Sequence, residues 1–100
     1  MNVVFLEAAE FEFNEAIMFY NIQREDLGYE FASEVKNAIE RIIENPEAWA
    51  PLSKRTRRCL TKRFPYGIIY QIRNKILLII SVMHLRRKPQ TWRSRRPKGI

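Results

Sequence analysis

The chain has one histidine, His84, followed closely by Arg86 and Arg87, and further cations precede it at Arg57, Arg58, Lys62 and Arg63. These are side chains suited to phosphate chemistry. An unperturbed imidazole titrates near pH ~6.5 and can take or give a proton in neutral solution. Guanidinium groups hold phosphate oxygens through paired hydrogen bonds and offset the charge that develops on a phosphorane. Cleavage of RNA without a metal needs a base for the ribose 2′-hydroxyl, an acid for the leaving oxygen, and cations around both. On that chemistry His84, Arg86 and Arg63 form the candidate catalytic group. No carboxylate follows Glu47, which makes Glu47 the candidate acidic partner. A structural role is equally open: a strand-end histidine bonded to backbone, and arginines on a solvated sheet face.

A second group, Arg57, Arg58, Lys62, Arg87, Trp92 and Arg93, reads as a surface for nucleic acid or a protein partner. Alternation along a strand sends Arg57 and Arg58 to opposite faces, so one of the pair serves any single site. Trp92 and Tyr66 either stack on bases or cap a small core. The lone Cys59 permits no internal disulfide and reads as a small buried apolar residue. One cysteine and one histidine do not make a zinc site, and no cofactor is implied.

Charge is divided sharply along the chain. All 11 acidic residues lie between Glu7 and Glu47, against Arg24, Lys36 and Arg41, which leaves the first fifty residues at −8. The second fifty carry 15 Lys and Arg and no acid, giving +7 for the whole. That polarity suggests a basic face for phosphates or an acidic partner. The longest apolar run, Ile76 to Met83, is far short of the ~20 residues needed to span a bilayer. With no secretory leader pattern at the N-terminus, the expected location is the cytoplasm.

The elements that must position these residues follow from periodicity. Asn2 to Leu6 is β-branched and aromatic and reads as a strand. From Glu7 the period becomes helical, with Ala9, Phe13, Ala16, Ile17 and Tyr20 on one face and Glu7, Glu10 and Glu12 at the positive end of the dipole. Leu27, Phe31, Val35, Ala38, Ile39, Ile42 and Ile43 form the stripe of a second helix, stopped by Asn45-Pro46. The link at Leu27-Gly28 is short, which implies an antiparallel helical hairpin. A loop from Glu47 to Arg55 leads to three strands, Arg57 to Phe64, Tyr66 to Arg73 and Lys75 to His84. Asn74-Lys75 forms a two-residue turn. Ile76 to Ile80 is apolar at every position, as in a central strand buried on both faces. The expected fold is α+β, in the order β-α-α-β-β-β, with the hairpin packed on a mostly antiparallel twisted sheet. Residues 1–95 form one domain, and residues 96–100 are a basic tail that frays.

This order, together with Leu27-Gly28 and Phe31, Asn45-Pro46, Arg57-Arg58, Arg63-Phe64-Pro65-Tyr66, and His84 with Arg86, Arg87, Pro89 and Trp92, resembles the RelE/ParE toxin superfamily. The likeness runs from Val3 to Arg95 and is nearer to ParE-like members. It implies the toxin of a type II toxin–antitoxin system, held silent by a cognate antitoxin. Operator DNA would be bound only through that antitoxin. The implied target is DNA gyrase for a ParE-like chain, or mRNA on the ribosome for a RelE-like one, in which case His84, Arg86 and Arg63 become catalytic. A non-toxic nucleic-acid-binding relic is the third reading. The lysine-rich centre of RelE is absent, with Lys54 and Lys62 alone in the comparable region.

Overall fold

The structure is a computed structural model that describes residues 1–86 and 92–95. Arg87 and residues 96–100 therefore lie outside the described part.

Strand β1 (Asn2–Phe5) leads into helix α1 (Glu7–Gln23) and helix α2 (Leu27–Glu44), then β2 (Ala50–Pro51), β3 (Arg57–Leu60), β4 (Tyr66–Arg73) and β5 (Ile76–His84). The sheet order is β1-β5-β4-β3-β2. Only β1 runs parallel to its neighbour, pairing Asn2 with Ile76 and Phe5 with Ile79. The α+β class and the helical hairpin are as expected. The strand count rises to five, because the loop after α2 contributes a two-residue edge strand, with Ala50 opposite Arg58 and Pro51 opposite Arg57. A proline is tolerated at such an edge, where no ladder donor is required.

The hairpin turns at Asp26, which is left-handed with φ 65°. Helices α1 and α2 then approach so closely at Gly28 that an added Cβ would lie 2.1 Å from the Ile17 carbonyl oxygen. The Gly28 N–H donates to the Asn21 side chain at 2.7 Å. Helix α2 buries Phe31, Val35, Ala38 and Ile42, while Ile43, expected in the stripe, is exposed. Each fully buried side chain of this size contributes about 1.5–3 kcal/mol.

β5 is central, as its unbroken apolar run predicts. Leu77, Ile79 and Val82 join Ile68, Tyr70, Phe31 and Ala38 in the core beneath the helices. Leu78 and Ile80 join Ile69, Met83 and Trp92 in a second core on the opposite face. Tight turn Asn74-Lys75 has φ of 51° and 63°, the two positive values that a type I′ hairpin demands.

The strand expected over Arg57 to Phe64 stops at Leu60. Arg63 adopts φ 68°, which turns the chain out of the pleat. The Thr61 hydroxyl donates to the Phe64 carbonyl at 2.9 Å, and the Phe64 N–H donates to Lys62 O at 2.8 Å. Local bonds thus replace ladder bonds, and a loop of five residues aims Phe64 back at the core.

Ile80 is an extra residue in β5, since Ile69 faces Ser81 and Tyr70 faces Ile79. Such a bulge leaves backbone groups without ladder partners. Two charged side chains satisfy them: Glu12 Oε1 accepts from the Val82 N–H at 3.1 Å, and Arg95 donates to the Ile80 carbonyl at 3.0 Å.

Candidate functional site

His84 ends β5 half-buried, its ring edge-on to Tyr66 with centroids 5.1 Å apart. Nδ1 accepts the Arg86 backbone N–H at 3.1 Å. His84 and Tyr66 border a cleft of about 550 Å³ whose other wall is α1, through Phe11, Glu15 and Phe19, with Glu12 and Arg95 also lining it. Helix α1 supplies this wall because its buried arc, Ala9, Ala16 and Tyr20, fixes its rotation on the sheet.

The acids that line the cleft with His84 are Glu12 and Glu15 from the N-terminal helix. Glu47, the partner expected from the sequence, lines a different cleft. Glu12 is fully engaged: Arg95 grips both of its oxygens at 2.7 and 2.9 Å, and the Ser81 hydroxyl donates to it at 3.0 Å. Sequence reading missed Glu12, Glu15 and Arg95 as site residues. The available signal was an acid, Glu12, at the margin of an otherwise apolar buried arc.

The cations that phosphate chemistry would gather around His84 are dispersed. Arg63 reaches to α2, where it pairs with Glu30 at 2.8 Å, beside Arg24 at 3.0 Å. These two hydrogen bonds hold the Glu30 carboxyl below its usual range, and the same contact raises Arg63. Arg63 also lies over the Phe64 ring, 5.4 Å from its centroid. The Arg86 side chain is exposed and does not line the cleft.

Arg57 and Arg58 diverge as alternation requires. Arg57 points to the helix side and donates to the Trp49 carbonyl at 2.7 Å. There it borders a second cleft, of about 660 Å³, with Lys54, Arg55, Glu44, Glu47 and Tyr70. Tyr70 donates its hydroxyl to Pro46 O, and burial pushes its pKa up to about 12. Arg58 lies on the opposite face against Gly67, and its Nε is buried without a hydrogen-bond partner. Lys62 is exposed on the loop between β3 and β4.

Trp92 is not a surface ring. It is 7% exposed and covers Ile69, Leu78, Ile80 and Met83, a sheet face that neither α1 nor α2 covers. Arg93 is exposed and stacks its guanidinium 4.9 Å from the Trp92 centroid. Tyr66 is likewise core, 4.7 Å from Phe31 between ring centroids. Cys59 is buried beside the Ala38 carbonyl, and burial raises its thiol pKa. Arg87 lies outside the described residues.

This fold is similar to that of a solved structure described as a chromosomal ParDE TA system from P. aeruginosa. The likeness has a TM-score of 0.73 and 11% identity, covering 85% of this chain and 96% of that one. A family described as the ParE toxin of type II toxin-antitoxin system, parDE, matches residues 3–89. The chain belongs to that family of toxins, and a cognate antitoxin is the partner such a system implies. The curated proteins contain no match. Among the described residues, no helix is long and apolar enough to cross a membrane.

Proposed function

We propose that this toxin acts in the cytoplasm by blocking a macromolecular target through protein–protein contact, that the target is DNA gyrase, and that its antitoxin silences it. Binding of operator DNA is assigned to the antitoxin. One observation carries the reading. The cleft that contains His84 is walled by Glu12 and Glu15, the one arginine that lines it among the described residues is spent on Glu12, and Arg63 is committed to Glu30. A scissile phosphate entering there would meet carboxylates, whereas phosphoryl chemistry rewards converging cations. Blocking a target needs no reacting group, only a surface, and the exposed Arg86 and Arg93 offer it basic side chains.

A rival reading as a ribosome-dependent mRNA endonuclease draws on the same cleft. An imidazole and a carboxylate facing one cavity form an acid–base pair. Purified chain added to gyrase, ATP and relaxed plasmid separates the two. The proposal expects lost supercoiling and protein-linked DNA breaks, undiminished by His84→Ala. Full supercoiling at saturating toxin would refute it.

A further inference from the structure

Helix α1 is apolar on two opposite sides. One arc, Ala9, Ala16 and Tyr20, is buried in the hairpin core. Phe11, Met18 and Ile22 are spaced by seven and four residues, so they share a single arc on the far side. They are 65%, 61% and 84% exposed. A helix apolar all round is ordinarily covered all round, and contiguous exposed apolar side chains mark an interaction surface.

The chemistry beside this ridge selects its occupant. Glu7 and Glu15 fall on the same arc and are exposed, with Glu10 on its flank. No Lys or Arg occurs between Glu7 and Gln23, and Arg95, the guanidinium that lines the cleft among the described residues, is bound to Glu12. Among its own residues the helix is therefore apolar along this crest and carries only acids as charges beside it, on a chain whose net charge is +7. A second copy docked ridge to ridge would bring together two arcs that carry acids and no cation of their own, a like-charge contact that binding energy must overcome.

We infer that the outward face of α1 is a docking ridge for an amphipathic helix of a partner protein that carries Lys or Arg beside its apolar stripe. The occupant lays apolar side chains at helical spacing over Phe11, Met18 and Ile22, and its cations pair with Glu7 and Glu15. This surface is opposite in charge to the basic second half of the chain. One partner can grip the toxin by both only if it bears both charges in separate segments. The inference does not rest on gyrase being the target.

Two synthetic helical peptides with the same leucine stripe, one flanked by lysine and one by glutamate, test it on the purified chain. The readout is the methyl resonances of Met18 and Ile22. The lysine peptide is expected to shift both methyls and to lose about tenfold in affinity for Glu7→Lys/Glu15→Lys. The glutamate peptide is expected to bind elsewhere, leaving both methyls unmoved. Equal shifts from the two peptides, or none from the lysine peptide, would overturn the inference. So would sedimentation as a dimer that Met18→Ser/Ile22→Ser abolishes, since a second copy would then be the occupant. Both substitutions are at exposed positions, and circular dichroism verifies that the fold is kept.

Discussion

Arg95 holds Glu12 across 83 positions of sequence, gripping both carboxylate oxygens at 2.7 and 2.9 Å. The pair ties together α1, the bulge in β5 and the segment that carries Trp92. Both side chains are largely covered, at 17% and 25% exposure, so solvent screens the contact less than at a surface pair. Glu12→Ala leaves the Arg95 guanidinium, the Ser81 hydroxyl and the Val82 N–H without their acceptor, and is expected to cost about 3 kcal/mol. Arg95→Ala is expected to cost about 2 kcal/mol and to loosen Trp92. Urea unfolding of each variant, with tryptophan fluorescence as the probe, measures both effects.

Gly28 sits where the two helices touch. A methyl group there would meet the Ile17 carbonyl oxygen and the Asn21 side chain. Gly28→Ala must push the helices apart, and is expected to destabilise the chain by about 2–3 kcal/mol. The helix-propensity gain of alanine over glycine, about 1 kcal/mol, is too small to offset this. Thermal unfolding followed by circular dichroism decides the sign; a raised Tm would mean that the hairpin is looser than described.

Tyr70 gives the fold a limit in alkali. Its hydroxyl is the donor to Pro46 O, and its folded pKa is about 12, above the ordinary value of 10.0. Because the folded value is raised, the stabilisation is fully present below pH ~10 and is lost as pH climbs through 12. Stability is therefore expected to fall over that window in the native chain. Tyr70→Phe should lose about 1 kcal/mol at neutral pH and show a shallower alkaline fall. Denaturant midpoints at a series of pH values provide the check.

Much of this fold was legible because local pattern and tertiary demand agree. The stripe of α2 from Phe31 to Ile42, the central character of β5, and the turn at Asn74-Lys75 all follow from spacing and residue type. What escaped depended on contacts far apart in sequence or on local backbone choices. The left-handed bend at Arg63 ended β3 early, and nothing in the side chain of an arginine announces it. Ala50–Pro51 becomes a strand only because Arg57 and Arg58 lie opposite. Trp92 is buried on the second sheet face, which neither α1 nor α2 covers; the apolar run of β5 shows that this face must be covered but not by what. At the candidate cleft the sequence singles out His84 but not Glu12 and Glu15, which line the same cleft only because α1 lies across β5.

The arginine pairs separate structural from recognition roles. Arg58 packs on Gly67 with its Nε buried, so Arg58→Ala removes apolar stem contacts as well as charge. It is expected to cost about 1 kcal/mol of stability. Arg86 and Arg93 are exposed, and Arg86→Glu/Arg93→Glu should leave Tm unchanged while weakening target engagement at least tenfold. Paired measurements of Tm and of gyrase inhibition distinguish the two kinds of residue. A fall in Tm for the exposed pair would assign it to the fold instead.

The central claim, a toxin that blocks gyrase and does not cut RNA, is tested most directly in a bacterial host. The chain and its His84→Ala variant are induced separately, with an SOS reporter and mRNA 5′-end mapping read in the same cultures. The account predicts growth arrest with SOS induction, intact mRNA, and no difference between the two proteins. Arrest without SOS, with new 5′ ends inside translated codons that vanish in His84→Ala, would contradict it and make the His84 cleft a nuclease site.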